Sequence, residues 1–422
     1  MAATAIIEDI AKRARLAART LATASNAQRN QILENISSQL QENLSVIIEA
    51  NNFDMEAAKK SGMNQSLQDR LLLNEARVTS MANAAKNIAK LPDPLNRVLV
   101  ERKLKNGLHL VQKSVPFGVV GMVYEARPNV TVDAAVILIK SGNAALLRGS
   151  SSAQHSNKVL IDVMKKAFAG SAISAEVLQL VPSDDRETVT ALLQANGLVD
   201  LVIPRGSAQL IRTVVDEATV PTIETGAGVC HVYVDKSADF KKAIPILINS
   251  KCDRPSVCNA AETLLVDKEI ADKFLPLALK ALVDSKVVIN IDSQSKPVAQ
   301  ALGIEVKQAS ENSWSTEYGT LEINVAQVDG VMGAIDHIAK YGTKHTEAII
   351  AENKEAIDLF TALNDCAAVM INTSTRFTDG EQMGFGAEIG ISNQKMHARG
   401  PMGLEQMTTT TLIVTVNGQI RK

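Results

Sequence analysis

The stretch Lys251-Cys252-Asp253-Arg254-Pro255-Ser256-Val257-Cys258-Asn259 is polar and contains a proline, and it lies between an apolar helical run and the β-rich run Leu264-Leu265-Val266. A cysteine in a loop of that kind can be exposed, with cations and backbone N–H groups nearby to stabilise the reactive thiolate. Cys258 is therefore the candidate nucleophile. Cys230, Cys252 and Cys366 read as small buried apolar residues, the ordinary state of a cysteine outside a disulfide. A second constellation is Glu224 followed by Thr225-Gly226-Ala227-Gly228 and a β-type run to Asp235, where the glycines let the backbone pass close to another segment or a ligand. A third is Val202-Ile203-Pro204-Arg205-Gly206-Ser207, a strand running into a helix start whose N–H groups can receive a phosphate. No GxGxxG fingerprint occurs, so a dinucleotide held there is not held in the usual Rossmann manner. No His, Cys and Asp cluster has metal-ligand spacing. Cys230 and His231 are adjacent, and on a strand they point to opposite faces.

The elements that must position these residues follow from the patterning of the 422-residue chain, long enough for two or three domains. With 46% apolar and 21% charged residues the chain is globular. Its net charge of -2 supplies no field for a nucleic-acid backbone, and 3% aromatics supply no stacking platform. Four cysteines form no disulfide framework and imply a reducing, cytoplasmic setting. Apolar runs such as Ala134 to Ile139 stop far short of the roughly 20 residues a membrane span needs, and Glu8 and Asp9 argue against a secretory signal. Residues 3–90 are helical by spacing, with Ile32, Ile36, Leu40 and Leu44 on a four-residue step, and they end at Pro92 and Pro94. Two alternating segments flank Asn106-Gly107 over 97–115, which predicts a hairpin closed by a type I′ turn. From 116 to 235 short β-rich runs at 118–124, 144–147, 177–181 and 198–203 alternate with helical patterns, the signature of a doubly wound parallel sheet. A second such lobe is expected to about 385, with helices near 237–250 and 269–285 and strands near 262–266, 287–290 and 347–351. The run 408–416 is a terminal strand in need of a partner, and the hairpin is the candidate.

Pro116-Phe117-Gly118-Val119-Val120-Gly121, Gly142-Asn143, Gly206-Ser207, Glu224 before its glycines, the Cys258 loop and Glu317-Tyr318 stand in the order seen in the aldehyde dehydrogenase superfamily, which the whole chain resembles. Within it, the run from Val328 through His337, Tyr341-Gly342-Thr343 and His345-Thr346-Glu347 to Ile349 fits the signature of the branch that acts on L-glutamyl 5-phosphate. So do Arg254 to Asn259, Cys230 to Asp235, and His397 to Leu404. The resemblance implies two doubly wound α/β domains plus a small β bridging element that joins subunits. Residues 1–96 and 116–227 would form an NADP-binding domain, 228–404 a catalytic domain, and 97–115 with 405–422 the bridge of a homo-oligomer.

The implied reaction is NADPH-dependent reduction of L-glutamyl 5-phosphate to L-glutamate 5-semialdehyde and phosphate through a thioester on Cys258. It belongs to proline synthesis from glutamate, with functional coupling to glutamate 5-kinase. The implied oxyanion donors are the Cys258 N–H and Asn129. Arg148 and Ser151 would sit by the adenosine ribose, Gly206 and Ser207 by the phosphates, and Glu317 by the nicotinamide ribose. Glu224 matches the general base of hydrolytic relatives. An acyl-phosphate reductase does not need that base, so Glu224 is placed beside the cofactor instead. The absence of a carboxylate at Ser150 to Ser152 suits a 2′-phosphate. Arg254, His345, Arg376 and Arg399 are candidates for the substrate's charged groups, and His337 reads as structural. The alternatives are an aldehyde dehydrogenase of other acyl specificity, hydrolytic or CoA-acylating, and a non-catalytic scaffold of the same fold.

Overall fold

The computed structural model describes residues 2–421. The chain divides into two compact units, one of residues 1–224, 384–390 and 402–422 and the other of 225–383 and 391–401.

The first unit opens with five helices, Ala2–Thr23, Asn26–Glu42, Leu44–Lys60, Gln65–Leu71 and Glu75–Lys90. Ser25 starts the second with a capping box, its Oγ accepting from the Gln28 N–H while Gln28 Oε1 accepts from the Ser25 N–H. Asn43 interrupts the four-residue apolar step, so Leu44 begins a new helix rather than ending the old one. These helices pack on an all-parallel sheet in the order 178–180, 144–148, 119–124, 201–205. The segment after Pro221 extends it, because Val202 donates to the Pro221 carbonyl and Ile223 to that of Val202. The helix Pro128–Lys140 crosses the core with almost no exposed residue. Lys140, which ends its apolar run, is itself buried, and its ammonium bonds to Asn26, Asn30 and the Ala89 carbonyl. Burial pulls its pKa down.

The hairpin forms at Val98–Lys103 and His109–Pro116, and the terminal strand Thr408–Thr415 pairs antiparallel with its second arm over eight residues. The turn is not type I′. Only Gly107 has a positive φ, of 88°; the Leu104 N–H donates to the Leu108 carbonyl and the Gly107 N–H to that of Leu104. This is the three-residue connection with a left-handed glycine at its end, which Asn-Gly serves equally well because only the glycine must be left-handed. Apolar side chains on this three-stranded sheet face water, among them Leu99, Leu412, Ile413 and Val414.

The second unit is built on a seven-stranded parallel sheet in the order 307–308, 288–291, 322–328, 261–267, 230–234, 346–350, 368–371. Helices Phe240–Cys252, Ala271–Asp284 and Gly330–Tyr341 cover it. One apolar core, with Phe274, Leu264 and Ile323 fully buried, lies between the sheet and the first two helices. The other, with Tyr233, Phe360 and Trp314, lies on the opposite face. Strands 322–328 and 368–371 have no counterpart in the sequence reading. In the first, Asn324 is fully buried among apolar neighbours, held by bonds to Thr263, Tyr318 and the Ser313 carbonyl. Among the described residues no helix is long and apolar enough to cross a membrane.

Candidate active site

Cys258 stands at the amino edge of the second sheet, in the loop between helix Phe240–Cys252 and strand Ala261–Asp267. Strand 230–234 is that strand's neighbour, so the glycine-rich turn before one lies against the cysteine loop before the other. The approach is close. A side chain at Gly228 would put its first carbon 1.5 Å from the Cys258 carbonyl oxygen and 2.4 Å from its carbonyl carbon. The same carbonyl accepts a hydrogen bond from Cys230 Sγ at 3.2 Å. The two glycine and cysteine motifs, separate in the sequence, are thus one unit of backbone packing.

A second set of bonds holds the loop from the other side. Asn259 is buried and donates to the carbonyls of Arg376 and Thr378, while the Arg376 guanidinium donates back to Asn259 Oδ1 and to Asp253 Oδ2. Thr378 receives the Thr346 hydroxyl, which in turn meets His345 Nδ1. Beneath the loop, Lys251 and Glu262 form a fully buried ion pair at 2.6 Å. Burial pushes the Glu262 carboxyl up to about 7, against the pull of Lys251. Cys258 is partly exposed, whereas burial pushes the thiols of Cys230 and Cys252 up, and that of Cys366 up to about 12. A thiol raised in that way stays protonated and inert.

The four candidates for substrate charge are placed differently. Arg254 is exposed on the cysteine loop, and Arg376 braces that loop. His345 is buried, 3.8 Å from Cys230 Sγ. Arg399 is engaged by Asp365, whose carboxyl Arg399, with Lys395 and Lys344, holds down at about 2. Glu317 is exposed in the loop before strand 322–328, also at the amino edge. His337 packs edge-on against Trp314 and His231, and burial lowers its pKa to about 3. His231 meets Glu347 at 2.9 Å on the face opposite Cys230. Among the described residues no cluster of His, Cys, Asp and Glu has the makings of a metal site.

In the first unit the candidates gather at the carboxyl edge of the sheet, the usual ligand edge of an open α/β sheet. Strands 144–148, 119–124 and 201–205 are neighbours in register, with Arg148 opposite Val123 and Tyr124 opposite Arg205. Their ends therefore place Arg148 and Gly206-Ser207 along one edge, from which the helix carrying Asn129 departs. Arg148 lies over the Gly149, Ser183 and Asp185 carbonyls, and its Nε is buried without a hydrogen-bond partner. Ser151 opens the short turn before helix Gln154–Lys166. Asn129, in the first turn of helix Pro128–Lys140, donates to Asp133 Oδ2 at 3.0 Å, and burial raises Asp133 to about 6. Glu224 follows the segment paired with Val202 and is half-buried. Ser207 caps helix Ala208–Glu217, its Oγ accepting from Leu210 N–H. Glu125, which the motifs do not single out, takes two bonds from Ser207.

A parallel sheet with Arg148 and Gly206-Ser207 at its carboxyl edge is thus followed in the chain by a second, whose Cys258 loop lies at its amino edge. The profile of the aldehyde dehydrogenase family matches residues 1–301, and the chain belongs to that family. Proteins named gamma-glutamyl phosphate reductase from Thermobifida fusca and Caldicellulosiruptor bescii are 49% and 48% identical to it over 415 and 412 residues, covering 98% of this chain and 98% of each relative. The crystal structure of gamma-glutamyl phosphate reductase from Thermotoga maritima matches with a TM-score of 0.96 at 41% identity, over 99% of this chain and 100% of that one.

Proposed function

We propose that this chain is an NADPH-dependent reductase of L-glutamyl 5-phosphate, forming L-glutamate 5-semialdehyde and phosphate. What carries the reading is near-identity of fold and full-length similarity to proteins of that name, together with an intact, braced Cys258 loop. The Cys258 thiolate attacks the C5 carbonyl of the acyl phosphate; the C–O bond to phosphate breaks and inorganic phosphate leaves with the electron pair. The resulting thioester is a good hydride acceptor because sulfur donates poorly into the carbonyl. The nicotinamide cofactor, when bound, supplies the hydride. The tetrahedral oxyanion then re-forms its carbonyl, the C–S bond breaks, and the semialdehyde departs as the thiolate is restored. The oxygen is anionic twice on this route, so a fixed donor such as the Cys258 N–H matters more than an acid. Holding the Cys258 carbonyl against Gly228 and Cys230 fixes that loop's backbone.

The first unit fits a dinucleotide. It offers an unpartnered buried Arg148 Nε at the strand end, a glycine at 149 where a side chain would meet Asn157 and Tyr124, and the capped helix at Ser207. Hydroxyls at Ser150 to Ser152, with no carboxylate, favour NADP(H) over NAD(H). Arg254 is the candidate left with its charge exposed to receive substrate; Arg376 and Arg399 are already committed to Asp253 and Asp365. The two-sided apolar exposure of the three-stranded sheet supports its use between subunits of a homo-oligomer. A reactive thiolate also requires a reducing compartment, such as the cytoplasm.

The test is the reverse reaction, NADP reduction with glutamate semialdehyde, run with phosphate, with coenzyme A and with neither. Turnover that requires phosphate supports the reading. Equal turnover with coenzyme A, or with water alone, selects a dehydrogenase of other acyl specificity. In the same assay Glu224→Gln leaves phosphate-dependent turnover largely intact, since no water needs activation.

A further inference from the structure

We propose that Glu125 is a built-in competitor of the cofactor phosphate, a carboxylate that holds the Ser207 helix cap and must leave it before a dinucleotide phosphate can be bound there. The proposal rests on the reading of Gly206-Ser207 as part of the dinucleotide site. Glu125 directly follows strand 119–124, and its N–H donates to the Arg205 carbonyl at 3.1 Å, which fixes it beside the end of the neighbouring strand. Its carboxylate then takes two hydrogen bonds from one residue. The Ser207 N–H donates to Oε2 and the Ser207 hydroxyl to Oε1, both at 2.8 Å. The N–H and hydroxyl that a phosphate oxygen would use at this helix start are thus aimed at a carboxylate. Gly206 shows how tight the arrangement is, since a first side-chain carbon there would stand 2.8 Å from Glu125 Cδ, Glu125 Oε2 and Leu210 Cδ2.

Among the described residues no Lys, Arg or His pairs with Glu125. Its charge is met by Ser207 and by the positive end of helix Ala208–Glu217. A phosphate has the same requirements and carries the same sign, so the two anions exclude each other. Cofactor affinity therefore includes the loss of the two hydrogen bonds that Ser207 gives to Glu125.

Dissociation constants for NADP and NADPH, read by fluorescence titration at fixed ionic strength, decide the matter. The proteins compared are the wild type, Glu125→Gln, Glu125→Ala and Ser207→Asp. Both Glu125 variants should bind on the order of tenfold more tightly, and Ser207→Asp, with a carboxylate fixed at the cap, more weakly. Glu125 variants that bind no better than wild type, alongside a weakened Ser207→Asp, overturn the competitor role and leave the site reading standing. An unchanged Ser207→Asp overturns the site reading and the proposal with it. Thermal unfolding gives a second readout. Without cofactor Glu125→Gln should melt below wild type, and the gap should close at saturating NADP because the wild-type cap has then lost its carboxylate too. A gap that persists at saturation places Glu125 on the cap in the complex and refutes the proposal.

Discussion

Replacing Gly228 by alanine adds one carbon where the structure has no room for it. That carbon would lie 1.5 Å from the Cys258 carbonyl oxygen, whereas ordinary contact begins at 3.4 Å, so the two backbones must separate by about 1.9 Å. The neighbour is main chain and cannot rotate away. The movement falls on the residue whose thiol and N–H carry the proposed chemistry, and it also breaks the 3.2 Å bond from Cys230 to that carbonyl. A misplacement of about 1 Å in a reacting group costs on the order of a hundredfold in rate, which corresponds to about 2.7 kcal/mol of barrier. Overpacking adds a stability loss of about 1–3 kcal/mol. Gly228→Ala should therefore lose at least about a hundredfold in kcat/KM while still folding. Gly226→Ala is the comparison, because its new carbon meets a side chain, that of Asn393, and not main chain, so relief costs the Asn393 bond to the Thr343 carbonyl but does not displace the Cys258 backbone. It should lose markedly less. The assay is semialdehyde-dependent NADP reduction in phosphate, with circular dichroism as the check on folding. Gly228→Ala activity within threefold of wild type would refute the argument that this glycine sets the position of Cys258.

Three other outcomes follow from the same geometry. His337 is held neutral with a pKa of about 3, below the unfolded value near 6.5, so the unfolded chain binds the extra proton and stability is lost as pH falls through that window. At pH 5 the loss amounts to about 2 kcal/mol. His337→Phe should narrow the difference in melting temperature between pH 7.5 and pH 5, and an unaltered difference would contradict the assignment. Lys251→Met strands the buried Glu262 carboxylate and should cost about 3–5 kcal/mol in denaturant unfolding, most of it regained in Lys251→Met/Glu262→Leu; no recovery in the double variant would mean that the pair is not coupled. Deleting residues 408–422 removes the strand paired along 109–116 and should abolish the assembled species in sedimentation, whereas a soluble chain assembling as before would dismiss that strand from the interface.

What could be read from the sequence was whatever has a short-range cause. The proline stop after Lys90, the β-rich runs of the first sheet and the setting of Cys258 follow from local pattern, and the distant partner of the terminal strand could be named only because the hairpin was the other β element left with a free edge. The Asn106-Gly107 turn shows the limit. Both the two-residue and the three-residue connection want a left-handed glycine, and the choice depends on how Leu104 and Leu108 pair across it. Strand 322–328 escapes because Asn324 looks like a surface residue until Thr263, Tyr318 and Ser313 are brought to it by the fold. The site is similar. The residue types at 228, 258 and 259 are visible, but Gly228 against Cys258 and Arg376 against Asn259 are pairings across the sheet that no spacing encodes. Glu125 carries no motif at all, and its role emerges only where two parallel strands end side by side.

The central claim, acyl transfer through Cys258 to phosphate, is tested most directly by mixing the enzyme with glutamate semialdehyde and NADP in the absence of phosphate. Peptide mass should then show one glutamyl group in thioester linkage on Cys258, with one NADPH formed per subunit, and added phosphate should discharge the adduct and start steady turnover. Steady NADPH formation without phosphate, or an acyl group on any other residue, would contradict the account.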